Sequence, residues 1–127
     1  MIQQITRGLK VSIQTTYQGS FVKNKVLHYA FRYHVSIENQ SNHIVQLISR
    51  QWKVFETASV QYFGKEKGIL KKPTMKPGET YVYNSGCLLT SPIGSIQGSI
   101  KMIEFSTAKK FNIKIPCFKL NVPFILN

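Results

Sequence analysis

The sequence predicts an all-β protein, a sandwich or barrel of seven or more short antiparallel strands. Three observations carry this. Apolar residues recur at every second position in one segment after another, the period of a strand with one buried face. Turn signals rich in Gly, Pro, Asn and Ser separate these segments at short intervals. No stretch combines a helical period with caps, so strands are not interleaved with helices and a parallel α/β sheet is excluded.

The segments follow in order. Leu9, Val11, Ile13, Thr15 and Tyr17 share one face, opposite Lys10, Ser12, Gln14 and Thr16. Residues 18–25 read as a loop. Tyr29, Phe31, Tyr33, Val35 and Ile37 alternate with Ala30, Arg32, His34 and Ser36, the clearest strand in the chain. The polar turn Glu38-Asn39-Gln40-Ser41-Asn42 ends it. A strand from Ile44 to Phe55 is long enough to bend or carry a bulge. Val60-Gln61-Tyr62-Phe63 is a short strand candidate, and Pro77-Gly78 turns the chain into Glu79–Tyr83. After the turn Ser91-Pro92-Ile93-Gly94, residues 96–105 alternate again, with Ile96, Gly98, Ile100 and Met102 on one face. Phe111, Ile113 and Ile115 begin the last strand. Pro116 interrupts it, so Phe118, Leu120 and Val122 continue on an edge or past a bend.

A chain of 127 residues suits one domain, 1–127, large enough to bury a core without staples. No apolar run approaches the roughly 20 residues that span a bilayer. The N-terminus lacks the pattern of a signal peptide, so the expectation is a cytoplasmic protein with no membrane partner. Cys87 and Cys117 have no metal-ligand spacing, and free, small buried thiols are expected.

The net charge is +12, from 17 basic and 5 acidic residues. Such a field attracts phosphates, nucleic acid or acidic protein surfaces. It also serves solubility, and lysine protects exposed strand edges. Only Arg7, Arg32 and Arg50 could read bases or grip phosphate in bidentate fashion, so specific nucleic-acid recognition is not expected.

A catalytic site needs a poised acid, base or nucleophile with an orienting partner. The chain has no aspartate, its five glutamates sit near turns or on polar faces, and His28, His34 and His43 are scattered. The expectation is therefore no catalytic residue, no metal, no cofactor and no enzyme. Trp52 and Arg50 share a strand face, which reads as a core tryptophan with Arg50 at the rim of its strand. Tyr81 and Tyr83 share another face, as packing residues with polar tips or as an aromatic patch for a partner.

From Arg50-Gln51-Trp52 onward the chain resembles the ApaG family. Phe31–Asn39 is similar to that family's long second strand and exit turn. Val45–Trp52 resembles its "vQLl.R.W" strand, and Pro77-Gly78-Glu79 with Tyr81, Tyr83, Ser85 and Gly86 its "PGE.y.Y.Sg" segment. Ile93–Gly98 looks like its "lG.M.G" segment, and Ile115–Leu120 its closing "IP.F.L". The resemblance implies an immunoglobulin-like or fibronectin-III-like sandwich. It implies a module that stands alone in bacteria and, in eukaryotes, is attached to F-box and polymerase-delta-interacting proteins, where it mediates protein interaction. It also implies a link to diadenosine-tetraphosphate metabolism and to cobalt or magnesium homeostasis, and no established enzymatic activity. One departure stands out. Where the family carries a glycine-rich "G.GVVG.QP" stretch, proposed as a phosphate or pyrophosphate cradle, this chain reads Gly64-Lys65-Glu66-Lys67-Gly68-Ile69-Leu70-Lys71-Lys72-Pro73.

The functional expectation is a non-catalytic binding module with a protein partner. Arg50, Trp52, Tyr81 and Tyr83 are its candidate partner-binding or structural residues. The alternative is a protein that binds a nucleotide, pyrophosphate or dinucleoside polyphosphate. Its candidate ligand residues are Gly64, Lys65, Lys67, Gly68, Lys71, Lys72 and Lys76, the lysines acting as point charges where a backbone cradle lacks its glycines.

Overall fold

The computed structural model describes residues 2–56 and 72–123, and the backbone of 59–63. Nine strands lie within them: β1 (Ile2–Thr6), β2 (Leu9–Lys23), β3 (Val26–Asn39), β4 (Val45–Glu56), β5 (Ser59–Phe63), β6 (Thr74–Met75), β7 (Thr80–Leu89), β8 (Ile93–Glu104) and β9 (Lys109–Asn121). They form two antiparallel sheets, ordered β1-β2-β3-β7 and β5-β4-β8-β9, with β6 also pairing β4. With β1 and β6 set aside, this is the A-B-E and C′-C-F-G arrangement of immunoglobulin-like sandwiches. A sandwich, not a barrel, is what the alternating pattern encodes.

The alternation places the core as expected. Leu9, Val11 and Ile13 of β2, Phe31, Val35 and Ile37 of β3, and Leu89 of β7 face inward from the first sheet. Leu47, Trp52 and Val54 of β4, Ile96, Ile100 and Met102 of β8, and Ile113, Phe118 and Leu120 of β9 meet them from the second. The other faces of β2 and β3 within the sandwich are largely polar, the half-buried pattern of antiparallel sheets, while β7 exposes Val82 and Leu88.

Bulges reset the pattern where the sequence breaks parity. In β4, Val45 and Leu47 are inward, and so are Arg50, Trp52 and Val54. An odd step separates the two sets, and the register shifts between Leu47 and Ser49 to absorb it. In β9 the shift falls where Gln97 faces both Pro116 and Cys117. Proline has no N–H for the ladder, so a bulge on an edge strand accommodates it.

One reading is corrected. Residues 18–25 are not a loop: β2 runs to Lys23, and Lys23 pairs with Val26 around Asn24 and Lys25. Both central residues have positive φ, 52° and 64°, as a two-residue type I′ hairpin requires. Asn tolerates that region, and Lys25 adopts it without a glycine, so the usual Asn-Gly signal is absent. β1, to which the sequence pattern assigns nothing, is built by the tight turn at Arg7 and Gly8, with φ of 50° and 80°. A Cβ on Gly8 would also lie 2.9 Å from that of Ser41, so glycine is needed twice over.

Candidate functional site

Arg50 and Trp52 each pack on a tyrosine of the opposite sheet. Trp52 is 2% exposed and packs edge-on to Tyr33, with ring centroids 5.3 Å apart at 55°. Gly98 on the neighbouring strand makes room for it: a Cβ there would lie 2.9 Å from the indole Cε3 and 2.5 Å from the Gln51 carbonyl. The indole N–H is buried without an acceptor among the described residues. Arg50 is not at a rim. The β4 bulge turns it inward, where it is 5% exposed and its guanidinium lies 4.1 Å from the centroid of the Tyr83 ring on the opposite sheet. Tyr81 stacks in turn on Tyr83, centroids 5.9 Å apart. A desolvated cation over an aromatic face is worth about 2 kcal/mol. Arg50, Trp52, Tyr81 and Tyr83 therefore form a joint that locks the sheets together, with Tyr81 and Tyr83 only half-buried.

Sequence reasoning missed the most connected polar residue. Asn39 is fully buried. Its Nδ2 donates to the carbonyls of His43 at 2.8 Å and Met75 at 3.0 Å, and its Oδ1 accepts from the Ser41 N–H and hydroxyl. Its backbone N–H donates to the Glu79 carbonyl, and its carbonyl accepts from the Gly78 N–H. One side chain thus ties the β3–β4 turn to the turn Lys76-Pro77-Gly78-Glu79. In that turn the Lys76 N–H donates to the Glu79 carboxylate at 2.6 Å. The Pro-Gly-Glu segment is a fastener. The signal for Asn39 was its place on the inward parity of β3, where an apolar residue is the rule.

Of the lysine segment, Gly64, Lys65, Lys67, Gly68 and Lys71 lie outside the described residues. Lys72 and Lys76 are exposed, and the Lys72 carbonyl accepts from the Gln46 side chain at 3.0 Å. Both thiols are free. Cys87 is buried, and desolvation, followed by the charge of Glu56, pushes its pKa up to about 12. Cys117 departs from expectation: the bulge at Pro116 turns it outward, and it is exposed. His34 bonds Asn84 at 2.9 Å on the outer face of the first sheet, and His43 lies 3.6 Å from Glu104 at a strand end. No group of three or more His, Cys, Asp or Glu converges among the described residues.

The β2–β3 hairpin was also missed as a feature. Pairing of β3 with β7 starts at Tyr29, and pairing of β1 with β2 stops at Ile13. Beyond both points, residues 21–28 form a two-stranded arm that extends the sheet. Phe21, Val22, Val26 and Leu27 on it are all exposed, Val22 at 68%. Phe21 stacks on His28, ring centroids 5.5 Å apart. At the arm's base Tyr17 packs on Phe31. Beyond Ile13 no strand among the described residues pairs the outer side of β2.

Comparison with known proteins decides the family. The ApaG domain profile matches residues 20–104. Protein ApaG of Thiobacillus denitrificans is 34% identical over 120 residues, covering 94% of both chains. The chain belongs to the ApaG family. Protein ApaG of Brucella abortus is 33% identical over 124 residues, 97% of this chain and 95% of its own. Among solved structures, the putative ApaA protein of Bordetella pertussis superposes with a TM-score of 0.77 at 32% identity, over 91% of this chain and 94% of its own. A structural-genomics structure superposes at 0.83 with 25% identity, over 91% and 88%.

The names of these ApaG relatives indicate no catalytic activity. Several of the ApaG-like segments quoted above have a structural part. The Arg50–Trp52 strand and the Tyr81–Tyr83 strand supply the inter-sheet joint, Pro77-Gly78-Glu79 the fastened turn, and Gly98 the space for Trp52. What such motifs leave unexplained is on the surface.

Proposed function

We propose that this ApaG chain is a non-catalytic binding module that engages a partner protein through the β2–β3 arm and the free edge of β2. The observation that carries this is the exposure of Phe21, Val22, Val26 and Leu27 together on the arm. Val22 and Leu27 pair on one face of the arm, and Phe21 and Val26 lie on the other; exposed apolar side chains grouped in this way mark interaction sites. The edge beside them offers unpaired backbone groups for strand addition, and alternate side chains would provide specificity. Lys23 and Lys25 flank the tip, so the partner fits best as a protein whose apolar groove is bordered by carboxylates. A second copy of a chain with charge +12 is disfavoured by repulsion, and tip lysines are a common guard against self-pairing.

The test is affinity capture from the source cell with wild-type protein and with a Val22→Ser, Leu27→Ser double variant. Both side chains are exposed, so their loss changes stability by about 0.5 kcal/mol or less each. Capture of a discrete partner by the wild type and at least tenfold weaker capture by the variant is expected. Equal capture by both proteins contradicts the proposal.

A further inference from the structure

The outer face of the second sheet has a composition that neither the core nor the arm explains. Register places Ser49, Lys101 and Asn112 in one row across β4, β8 and β9, and Gln51, Ser99 and Lys114 in the next. Lys53 and Gln97 follow, beside the outward Cys117, and then Phe55, Ser95 and Lys119. Lys110, opposite Ile103, extends the face at its other end. Lys53, Lys101, Lys110, Lys114 and Lys119 are all exposed. No carboxylate among the described residues shares this face. Glu104 is on the inward parity of β8, and Glu56 is held by the Thr90 N–H and hydroxyl at 2.9 and 2.6 Å. The bulge at Pro116 opens a groove of about 440 Å³ in its centre, lined by Gln51, Lys53, Gln97, Ser99 and Lys114, by Gln4 of β1, and by Ile115, Pro116 and Cys117.

We propose that this face docks the phosphodiester backbone of a nucleic acid without reading its sequence. Every polar side chain on it except the thiol can donate: lysine ammonium, Gln and Asn amide, Ser hydroxyl. Those are the groups that hold phosphate oxygens and fix register on a nucleic-acid strand. Protein interfaces, by contrast, have apolar centres from which lysine is depleted. Here lysine, glutamine and serine surround the Ile115-Pro116 bulge at the centre, and the larger apolar residues Phe55, Ile93 and Ile103 lie at the ends. Without arginine or an exposed aromatic at the centre, the face has neither a bidentate base contact nor a stacking platform. The lysines along β9 lie about 13 Å apart from Lys110 to Lys114 at ~3.3 Å per residue, with Lys101 on the adjacent strand between them. A pleated sheet thus sets them on a fixed grid, unlike charges on a mobile tail.

The experiment is fluorescence anisotropy of a labelled 20-nucleotide single strand and of the matching duplex, titrated with the full chain. If four or five phosphates are engaged, affinity falls about 50- to 500-fold between 50 and 200 mM salt. Homopolymer and mixed sequences bind within threefold of each other. The variant Lys101→Glu, Lys114→Glu, Lys119→Glu loses at least 100-fold. The matched variant Lys10→Glu, Lys23→Glu, Lys25→Glu has the same net charge but loses less than tenfold. If the first variant fails to fold by circular dichroism, Lys→Gln at the same three positions replaces it, with a loss of at least tenfold expected. No binding at 50 mM salt, equal losses in both variants, or tighter binding of a polyglutamate of equal charge overturns the proposal. The arm variant Val22→Ser, Leu27→Ser leaves oligonucleotide binding unchanged, so the two surfaces are tested separately.

Discussion

Asn39 shows how much one side chain can hold. It satisfies the carbonyls of His43 and Met75 and the N–H and hydroxyl of Ser41, one of these bonds buried and three part-buried. Asn39→Ala leaves those groups without partners, and stability is expected to fall by about 2–4 kcal/mol, since each buried unsatisfied group costs roughly 1–3 kcal/mol. Urea unfolding followed by circular dichroism measures it. Both cysteines are expected from the sequence to be buried, but only Cys87 is, while Cys117 is exposed. At pH 8, iodoacetamide is expected to modify Cys117 alone, and Cys87 only after denaturation, as read by mass spectrometry. Cys87 has a further signature. Its folded pKa is raised from 9.0 to about 12 by burial, with the Glu56 charge adding to it. The folded thiol keeps its proton where the unfolded one loses it. Its contribution to stability is therefore complete below pH 9 and is lost as pH rises toward 12. The decline in stability across that range is expected to be shallower in Cys87→Ala than in the wild type.

At the scale of elements, bulges and tight turns decide what the strands present. The β4 bulge was foreseen from the strand's length, but its effect on Arg50 was not. Parity alone would place either Leu47 or Trp52 inward, and only an inserted residue places both there, with Arg50 following Trp52. Gly98 is the other half of that arrangement. Gly98→Ala forces a Cβ against the Gln51 carbonyl and the indole, and it is expected to cost about 1–3 kcal/mol, the usual range for overpacking. Denaturant midpoints compare it with the wild type. The strands themselves were legible because period-two alternation directly reflects one buried face. The arm was not, because Gln18-Gly19-Ser20 and Asn24-Lys25 carry loop chemistry while the backbone continues as a ladder. Its apolar residues have no core to face, so alternation gives no warning of it.

At the scale of the molecule, the sandwich places its functional candidates on different surfaces. Several residues in the ApaG-like segments, among them Arg50, Trp52, Tyr83 and Pro77-Gly78-Glu79, join the sheets or fasten a turn, so the family is readable from them while a binding surface is not. Two surface features remain: an apolar arm clamped at its base, and a lysine-bearing sheet face with no carboxylate among the described residues. Neither is a motif. The arm is legible only once pairing limits are known, and the face only once register aligns lysines from three strands. That no helix among the described residues is long and apolar enough to cross a membrane accords with an all-strand architecture. The central claim is that the arm is where a partner protein docks. Photo-crosslinking tests it most directly, with benzoylphenylalanine placed at Val22 and, as a control, at Ser12 on the outer face of the first sheet, in the source cell. The account predicts a discrete protein adduct at position 22 that is absent at position 12. No adduct at position 22, or the same adducts at both positions, would contradict it.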